Sequence, residues 1–92
     1  MHYVDLSEGA RDYIEQLEHK FARQVAQKIL QLAENPTPPQ SIMLGGYEPF
    51  RRVRTGRYRI VYVVVGDTVR IILVDKRGDD TIYRTLARKY RK

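Results

Sequence analysis

The sequence contains no cysteine among its 92 residues, which excludes a disulfide framework, a thiolate metal site and a cysteine nucleophile. Long apolar runs are also missing, since the longest, Ile60 to Val65, is far too short to span a bilayer. Residues 1–6 lack the basic start and extended apolar stretch of a secretory signal peptide. We therefore expect a soluble, cytoplasmic protein, and the length predicts a single domain over residues 1–92.

Positive charge is scarce in the first half of the chain and abundant in the second. Residues 1–50 hold four Lys or Arg against seven acids, a net charge of −3, whereas residues 51–92 hold thirteen against four, a net charge of +9. Ten of those thirteen are arginine, whose planar guanidinium can pair with two phosphate oxygens at once. The second half is therefore expected to bind a polyanion, with nucleic acid favoured. The alternative is a basic, solvated surface without a ligand.

Apolar residues in the first half recur at spacings of three and four, the period of an amphipathic helix. One such stretch runs from Ala10 to Leu17 and a second from Phe21 to Ala33. We interpret them as two helices in a hairpin, in preference to one bent helix. Asp5 or Ser7 can cap the first helix, and the proline after Asn35 ends the second because it cannot continue the hydrogen-bond ladder.

The remaining sequence has the composition of strands. His2 to Leu6 suits a strand that adds to a sheet, and three β-branched and aromatic runs follow later, at Tyr47 to Arg54, Tyr58 to Val65 and Thr68 to Asp75. Short glycine-containing spacers separate these runs, which predicts an antiparallel meander, and a basic helix is expected from Thr81 to Tyr90. The predicted fold is α+β: an N-terminal helical hairpin packed on a small twisted antiparallel β-sheet, with a short C-terminal helix.

Strand alternation separates the arginines by face. Arg52 and Arg54 share one face, whereas Val53 lies on the other with Arg51 and is the expected core contact. On the middle strand, Arg59 faces away from two tyrosines that we expect in the core, Tyr58 and Tyr62. Alternation on the third strand places four residues on one face, namely Val69, Ile71, Leu73 and Arg77.

In the simplest hairpin register, Arg52, Arg59 and Arg77 converge on one side of the sheet. Like-charge repulsion disfavours this arrangement unless an anion is bound. An arginine on a strand is more often a solvated surface residue than a functional one, so no single arginine here indicates a site. The convergence of all three does.

The second half also carries a recognisable pattern. It consists of Leu44-Gly45-Gly46, the segment from Phe50 to Tyr62, the pair Lys76-Arg77 and Tyr83 six residues after that arginine. Together with the Asn-Pro ending of the second helix, the pattern resembles the RelE toxins of bacterial and archaeal toxin–antitoxin pairs over nearly the whole chain. The hairpin marks the wider RelE/ParE superfamily, and the basic site with its distal tyrosine is typical of members that cleave messenger RNA on the ribosome. The resemblance implies a sheet flanked by helices.

Site residues follow from the resemblance position by position. The positions that match the catalytic site are Arg52, Arg59, Arg77 and Tyr83. Three further cations adjoin them as predicted RNA-binding residues, namely Arg54, Arg51 and Lys76. Phe50 falls near a position where some relatives carry a second lysine, and neither His2 nor His19 lies in the C-terminal segment where several relatives keep a catalytic histidine.

The activity that the resemblance implies is ribosome-dependent cleavage of messenger RNA without a metal or other cofactor. The 2′-hydroxyl of the RNA attacks the phosphodiester, and Arg59 and Arg77 are predicted to clamp the scissile phosphate with Arg52 close by. Tyr83 is predicted to stack on a base or to carry a proton, because neighbouring cations favour its phenolate. The alternative for Tyr83 is a core or boundary aromatic.

The implied partners are the ribosome with its messenger RNA and a RelB-like antitoxin with an acidic toxin-binding segment, and no membrane. The apolar stripe of the closing helix is the predicted antitoxin-binding surface, with ordinary packing as its alternative; it contains Ile82, Leu86 and Tyr90. Two other functions fit the sequence. One is a ParE-like toxin that inhibits DNA gyrase without nuclease activity, and the other is a non-catalytic RNA-binding module, which the shortage of aromatic residues near the arginines disfavours.

Overall fold

The computed structural model describes residues 1–76 together with Arg84 and Arg88. In chain order the elements are strand β1 (Tyr3–Leu6), helices α1 (Glu8–Glu15) and α2 (His19–Glu34), and strands β2 (Ile42–Met43), β3 (Arg51–Thr55), β4 (Tyr58–Val65) and β5 (Thr68–Lys76). The strands form one sheet in the order β1-β5-β4-β3-β2, and both helices pack on the same face of it. The predicted α+β class and the meander of β3, β4 and β5 are confirmed.

Two helices follow β1, as the apolar spacing predicted. Ser7 caps α1, because its hydroxyl oxygen accepts a hydrogen bond from the backbone N–H of Ala10 at 3.1 Å. The same hydroxyl donates to the backbone carbonyl of Ile72 at 2.8 Å, so one side chain both starts the helix and ties it to β5. α2 ends at Glu34, immediately before the Asn-Pro sequence that was expected to end it.

The sheet is antiparallel from β2 to β5, and β1 adds to it in parallel beside β5. Tyr3 lies opposite Thr68, and Leu6 opposite Ile71. Residue composition predicted that β1 would join the sheet but not the direction in which it would run. Parallel neighbours require a crossover connection, and here the chain passes through both helices and three strands before it returns as β5.

Residues 44–50 form a loop where the sequence predicted the start of a strand. The backbone N–H of Leu44 donates to the carbonyl of Phe50 at 2.9 Å, that of Tyr47 to the carbonyl of Leu44 at 3.0 Å, and that of Phe50 to the carbonyl of Tyr47 at 2.9 Å. These three hydrogen bonds close the segment on itself. Gly46 within it has a φ of +82°, a left-handed conformation that glycine adopts without steric cost. β3 therefore begins at Arg51, and the short edge strand β2, which was not predicted, pairs with its first residues.

A β-bulge changes which face of the sheet the end of β5 presents. Val61 pairs with Leu73, whereas the next residue, Tyr62, pairs with Ile71, so Ile72 is an extra residue in β5. The prediction that Leu73 would share a face with Ile71 is therefore wrong, because the extra residue reverses the alternation. The same shift places Asp75 opposite Arg59.

The main core lies between the helices and one face of the sheet. Tyr58 and Tyr62 are buried in it, as predicted, and Val53 is fully buried. The other buried members of this cluster are Ala10, Val25, Ile29, Leu32, Ile60, Val69, Ile71 and Val74. We call the opposite face of the three-stranded meander, which neither α1 nor α2 covers, the open face.

The predicted closing helix, residues 81–90, lies outside the described residues except for Arg84 and Arg88, both helical and exposed. The predicted antitoxin-binding residues Ile82, Leu86 and Tyr90 lie outside them as well. Among the residues that the structure does describe, no helix is long and apolar enough to cross a membrane.

Candidate functional site

Three of the predicted site arginines, Arg52, Arg54 and Arg59, lie on the open face. Cross-strand pairing fixes their positions: Arg54 is directly opposite Arg59 on β4, and Arg52 is directly opposite Val61. Since Val53 between the first two is fully buried under the helices, alternation directs Arg52 and Arg54 away from the core. Arg54 is exposed and Arg52 partly buried, so both present cationic groups from a rigid strand.

Arg59 is buried, only 6% exposed, and forms a two-point ion pair with Asp75 on β5. The Nε of Arg59 donates to Oδ1 of Asp75 at 3.1 Å, and its Nη2 donates to Oδ2 at 3.0 Å. Such fork-to-carboxylate pairing satisfies a guanidinium that has been removed from water. The predicted role of Arg59 as a phosphate clamp remains a prediction, and it requires a phosphate to compete with the Asp75 carboxylate.

Asp75 also explains how two arginines can face each other across β3 and β4. Arg54 and Arg59 occupy a direct cross-strand pair, where like charges are destabilising. The carboxylate on the third strand completes the row Arg54, Arg59, Asp75 and leaves it with a single net positive charge. Sequence reasoning missed this residue because its position opposite Arg59 depends on the bulge in β5.

Beside the arginines the open face is apolar. Leu44 and Val61 are buried in a second cluster, and four partly exposed side chains pack on them, which we call the apolar strip: Tyr47, Phe50, Ile72 and Leu73. Val61 lies next to Arg52 across the β3–β4 pair, so the apolar strip adjoins the cationic part of the face.

Two predicted RNA-binding cations are not brought to the open face. Arg51 lies opposite Tyr62, a core residue, and its Nη1 donates to the Ser41 hydroxyl at 3.2 Å. Lys76 lies opposite the buried Tyr58 and is exposed at the end of β5. The structure therefore separates Arg51 and Lys76 from Arg52.

Tyr62 is the titratable core residue beside Arg51. Its hydroxyl donates to the backbone carbonyl of Pro36 at 2.7 Å, which ties the loop after α2 to the centre of the sheet. Burial raises the pKa of the Tyr62 phenol above its ordinary value, against smaller opposing contributions from the Ser41 hydroxyl and the Arg51 charge.

The remaining predicted catalytic residues, Arg77 and Tyr83, lie outside the described residues. Within the described part of the chain, no group of three or more His, Asp or Glu side chains is placed to hold a metal ion. The described site is therefore a cationic patch on β3, Arg52 and Arg54. The buried Arg59–Asp75 pair lies across the sheet from Arg54, and the apolar strip adjoins Arg52.

The fold and sequence are similar to those of known toxins. The isolated E. coli RelE toxin is 22% identical over 97% of this chain and 98% of its own, with a TM-score of 0.74. A double mutant of E. coli RelE in the free state reaches a TM-score of 0.80 at 22% identity over 97% of both chains. The archaeal RelE in its complex with RelB from Pyrococcus horikoshii is 24% identical over 85% of this chain and 98% of its own, with a TM-score of 0.73.

None of the curated proteins matches the sequence. Residues 4–81, however, match the family described as the ParE toxin of the type II toxin–antitoxin system parDE, a match that covers all seven described helices and strands except the first residue of β1. The chain therefore belongs to the ParE toxin family and is a type II toxin of the RelE/ParE superfamily.

Proposed function

We propose that this toxin is a ribosome-dependent endoribonuclease, which cleaves messenger RNA in the ribosomal A site and thereby inhibits translation. The observation that carries the proposal is the pair Arg52 and Arg54, held side by side on the open face of the sheet in the half of the chain with a net charge of +9. An extended RNA backbone laid on this face would meet both guanidinium groups, which bind phosphate with directed hydrogen bonds.

The chemistry needs no metal if the RNA supplies its own nucleophile. The 2′-hydroxyl gives up its proton to a base as its oxygen bonds to phosphorus, the bond from phosphorus to the 5′-oxygen breaks, and the departing oxygen takes up a proton. Arg52 and Arg54 would stabilise the charge that grows on the phosphate in the transition state. Arg77 and Tyr83 enter the proposal from the resemblance to RelE toxins, Arg77 as a second clamp and Tyr83 as proton carrier or stacking residue. The ribosome would supply alignment of the RNA.

Arg59 has a narrower role in this proposal than the sequence suggested. Its guanidinium is held by Asp75 at two points and is nearly excluded from water, so it can contribute to phosphate binding only where the RNA backbone comes deep enough to share it. Its guanidinium still lies directly opposite Arg54, across the β3–β4 pair.

The proposed partner is an antitoxin that covers the basic face when the toxin is not acting. The archaeal RelE of similar fold was solved in complex with RelB, which supports a RelB-like partner for this chain. An acidic segment would complement the cationic open face, and the closing residues Ile82, Leu86 and Tyr90 are proposed to contact it through their apolar side chains. We propose the cytoplasm as the site of action, because the proposed ribosomal substrate is found there.

A second candidate function, inhibition of DNA gyrase without nuclease activity, is favoured by one observation, the match of residues 4–81 to a ParE family. The two candidates differ in what Arg52 and Arg54 do. A nuclease needs them for the chemical step, whereas a protein that binds gyrase does not require a phosphate site on this face.

The experiment compares the wild type with Arg52→Ala, Arg54→Ala and the control Arg11→Ala, which removes an equal charge from an exposed position on α1. Ribosomes programmed with a defined message are expected to yield RNA cut in the A site, while naked RNA stays largely intact. Loss of either open-face arginine should slow cleavage by about 100-fold, the usual effect of removing one transition-state donor, and the control should leave the rate unchanged. Intact message together with inhibited gyrase supercoiling would contradict the proposal.

A further inference from the structure

The apolar strip lies on the open face beside the arginines, where a surface meant only to attract phosphate would be polar. Leu44 and Val61 form its floor, 4% and 0% exposed, and the rings of Tyr47 and Phe50 pack on that floor while staying partly exposed. Phe50 thus presents part of an aromatic ring beside the arginines.

The distance from the cationic part to the apolar part of the face is one cross-strand step. Arg52 and Val61 are paired residues, so their Cβ atoms lie about 5 Å apart, and Phe50 packs on the cluster that contains Val61. Arg54 extends the cationic part away from the strip along β3. The face is thus divided into a phosphate-binding part and an adjoining apolar, aromatic part.

This division matches the chemistry of a single-stranded nucleic acid. Its backbone carries phosphates, and its unpaired bases expose apolar faces that stack on aromatic side chains. A duplex hides those base faces in its own stack, so a duplex would use only the cationic part. The positive charge beside the strip favours an RNA strand over an apolar peptide as occupant.

We propose that the apolar strip is a nucleobase subsite, in which an unpaired RNA base rests against Phe50 and Tyr47 while the adjoining phosphate is bound by Arg52 and Arg54. The proposal rests on the proposed function in that the RNA to be cut is the ligand. It assigns Phe50 to holding the base next to the scissile bond, so the ring selects RNA that is single-stranded at that point.

The test measures binding by fluorescence anisotropy at low salt with three probes: a labelled single-stranded RNA decamer, the same decamer with abasic nucleotides, and labelled heparin, a polyanion without bases. The variants are Phe50→Leu and Tyr47→Leu, which keep an apolar side chain and remove the ring, and Arg52→Ala. Each ring substitution should weaken binding to the RNA decamer at least 5-fold, and should leave binding to heparin and to the abasic strand unchanged. Arg52→Ala should weaken binding to all three.

Equal affinities of the wild type for the RNA and abasic strands would overturn the subsite, as would a ring substitution that weakens heparin binding as much as RNA binding. Because Phe50 packs on buried Leu44, thermal unfolding of each variant is measured alongside, and Tyr47→Leu provides the decisive comparison if Phe50→Leu unfolds. A ring-dependent loss seen only with an antitoxin peptide would identify the strip as a protein interface and contradict the proposal.

The ribosomal cleavage assay separates this inference from the proposed function. Base-dependent binding without cleavage would leave the subsite intact and overturn the nuclease. Cleavage by the wild type together with unaltered RNA binding by both ring variants would leave the nuclease intact and overturn the subsite.

Discussion

Replacing Asp75 by Asn should destabilise the fold strongly, because it removes one charged partner of a buried ion pair. Both side chains of the Arg59–Asp75 pair are less than a tenth exposed, at 8% and 9%. The amide keeps one acceptor for the guanidinium but removes its counter-charge, so a buried cation is left beside the like charge of Arg54. Loss of one partner of a buried pair costs about 3–5 kcal/mol, and the retained hydrogen bond places this variant near the lower end, at about 3 kcal/mol.

That free energy is measurable by urea or thermal unfolding. For a domain of this size each kcal/mol lowers the midpoint by roughly 4–8 °C, so Asp75→Asn should lower Tm by about 12 °C or more. The double variant Arg59→Met with Asp75→Leu removes both charges and fills the same space with apolar groups. It should unfold within about 1 kcal/mol of the wild type, because apolar replacement of a whole buried pair is often neutral or stabilising.

The matched control is the second ion pair in the described chain, between Asp5 on β1 and Arg70 on β5. Its two side chains are more than half exposed, at 58% and 55%, and the Nε of Arg70 lies 3.4 Å from Oδ2 of Asp5. Asp5→Asn should therefore change stability by less than about 1 kcal/mol. An Asp75→Asn variant no more destabilised than this control would contradict the cost assigned to the buried charge. A double variant less stable than Asp75→Asn would contradict it as well.

Two further predictions concern the core and a turn. Burial raises the pKa of the Tyr62 phenol in the folded protein. The neutral phenol therefore contributes its full stabilisation below pH ~10, the ordinary tyrosine pKa, and this contribution to the free energy of unfolding is lost as the pH rises from there toward the folded-state pKa. Stability measured above pH ~10 should fall more steeply in the wild type than in Tyr62→Phe, and parallel pH profiles would contradict the assignment. Gly56→Ala should destabilise the fold more than Gly66→Ala. Both glycines have a φ near +60°, but of the two only Gly56 would bring a new Cβ against another side chain, 2.5 Å from the Nε2 atom of Gln24. The Gln24 amide is the far end of a flexible side chain and can move aside, so the excess should be small, below about 1 kcal/mol, and adding Gln24→Ala should remove it in urea unfolding. An excess that persists would point to another cause.

The sequence predicted those parts of the fold that depend on local periodicity and turn chemistry. The three-and-four spacing located both helices, alternation placed Val53 in the core, and glycines at the spacers gave tight turns at the ends of β4. Each of these features is determined by residues a few positions apart.

What could not be predicted depends on register. A single extra residue, Ile72, reverses the alternation of β5 and puts Asp75 opposite Arg59, and no local pattern marks where such an extra residue will fall. The two-point ion pair followed from that shift, so the sequence could not show that Arg59, the predicted phosphate clamp, is buried against a carboxylate. The loop at residues 44–50 was missed for a related reason, because its aromatic residues have the composition of a strand although its backbone hydrogen bonds are made within the loop.

The parallel pairing of β1 with β5 has a consequence for how the toxin comes into being. The ribosome makes β1 first, yet its neighbour in the sheet is the last strand described, and that strand also separates β1 from β4. Until residues 68–76 have been synthesised, β1 has no partner, Ser7 lacks the Ile72 carbonyl, and Arg59 lacks its carboxylate. Because β1 and β5 are far apart along the chain, the sheet can close only after β5 has been synthesised. A chain released before β5 would thus lack Asp75, and the guanidinium of Arg59 on β4 would be left without the carboxylate that it pairs with in the folded sheet.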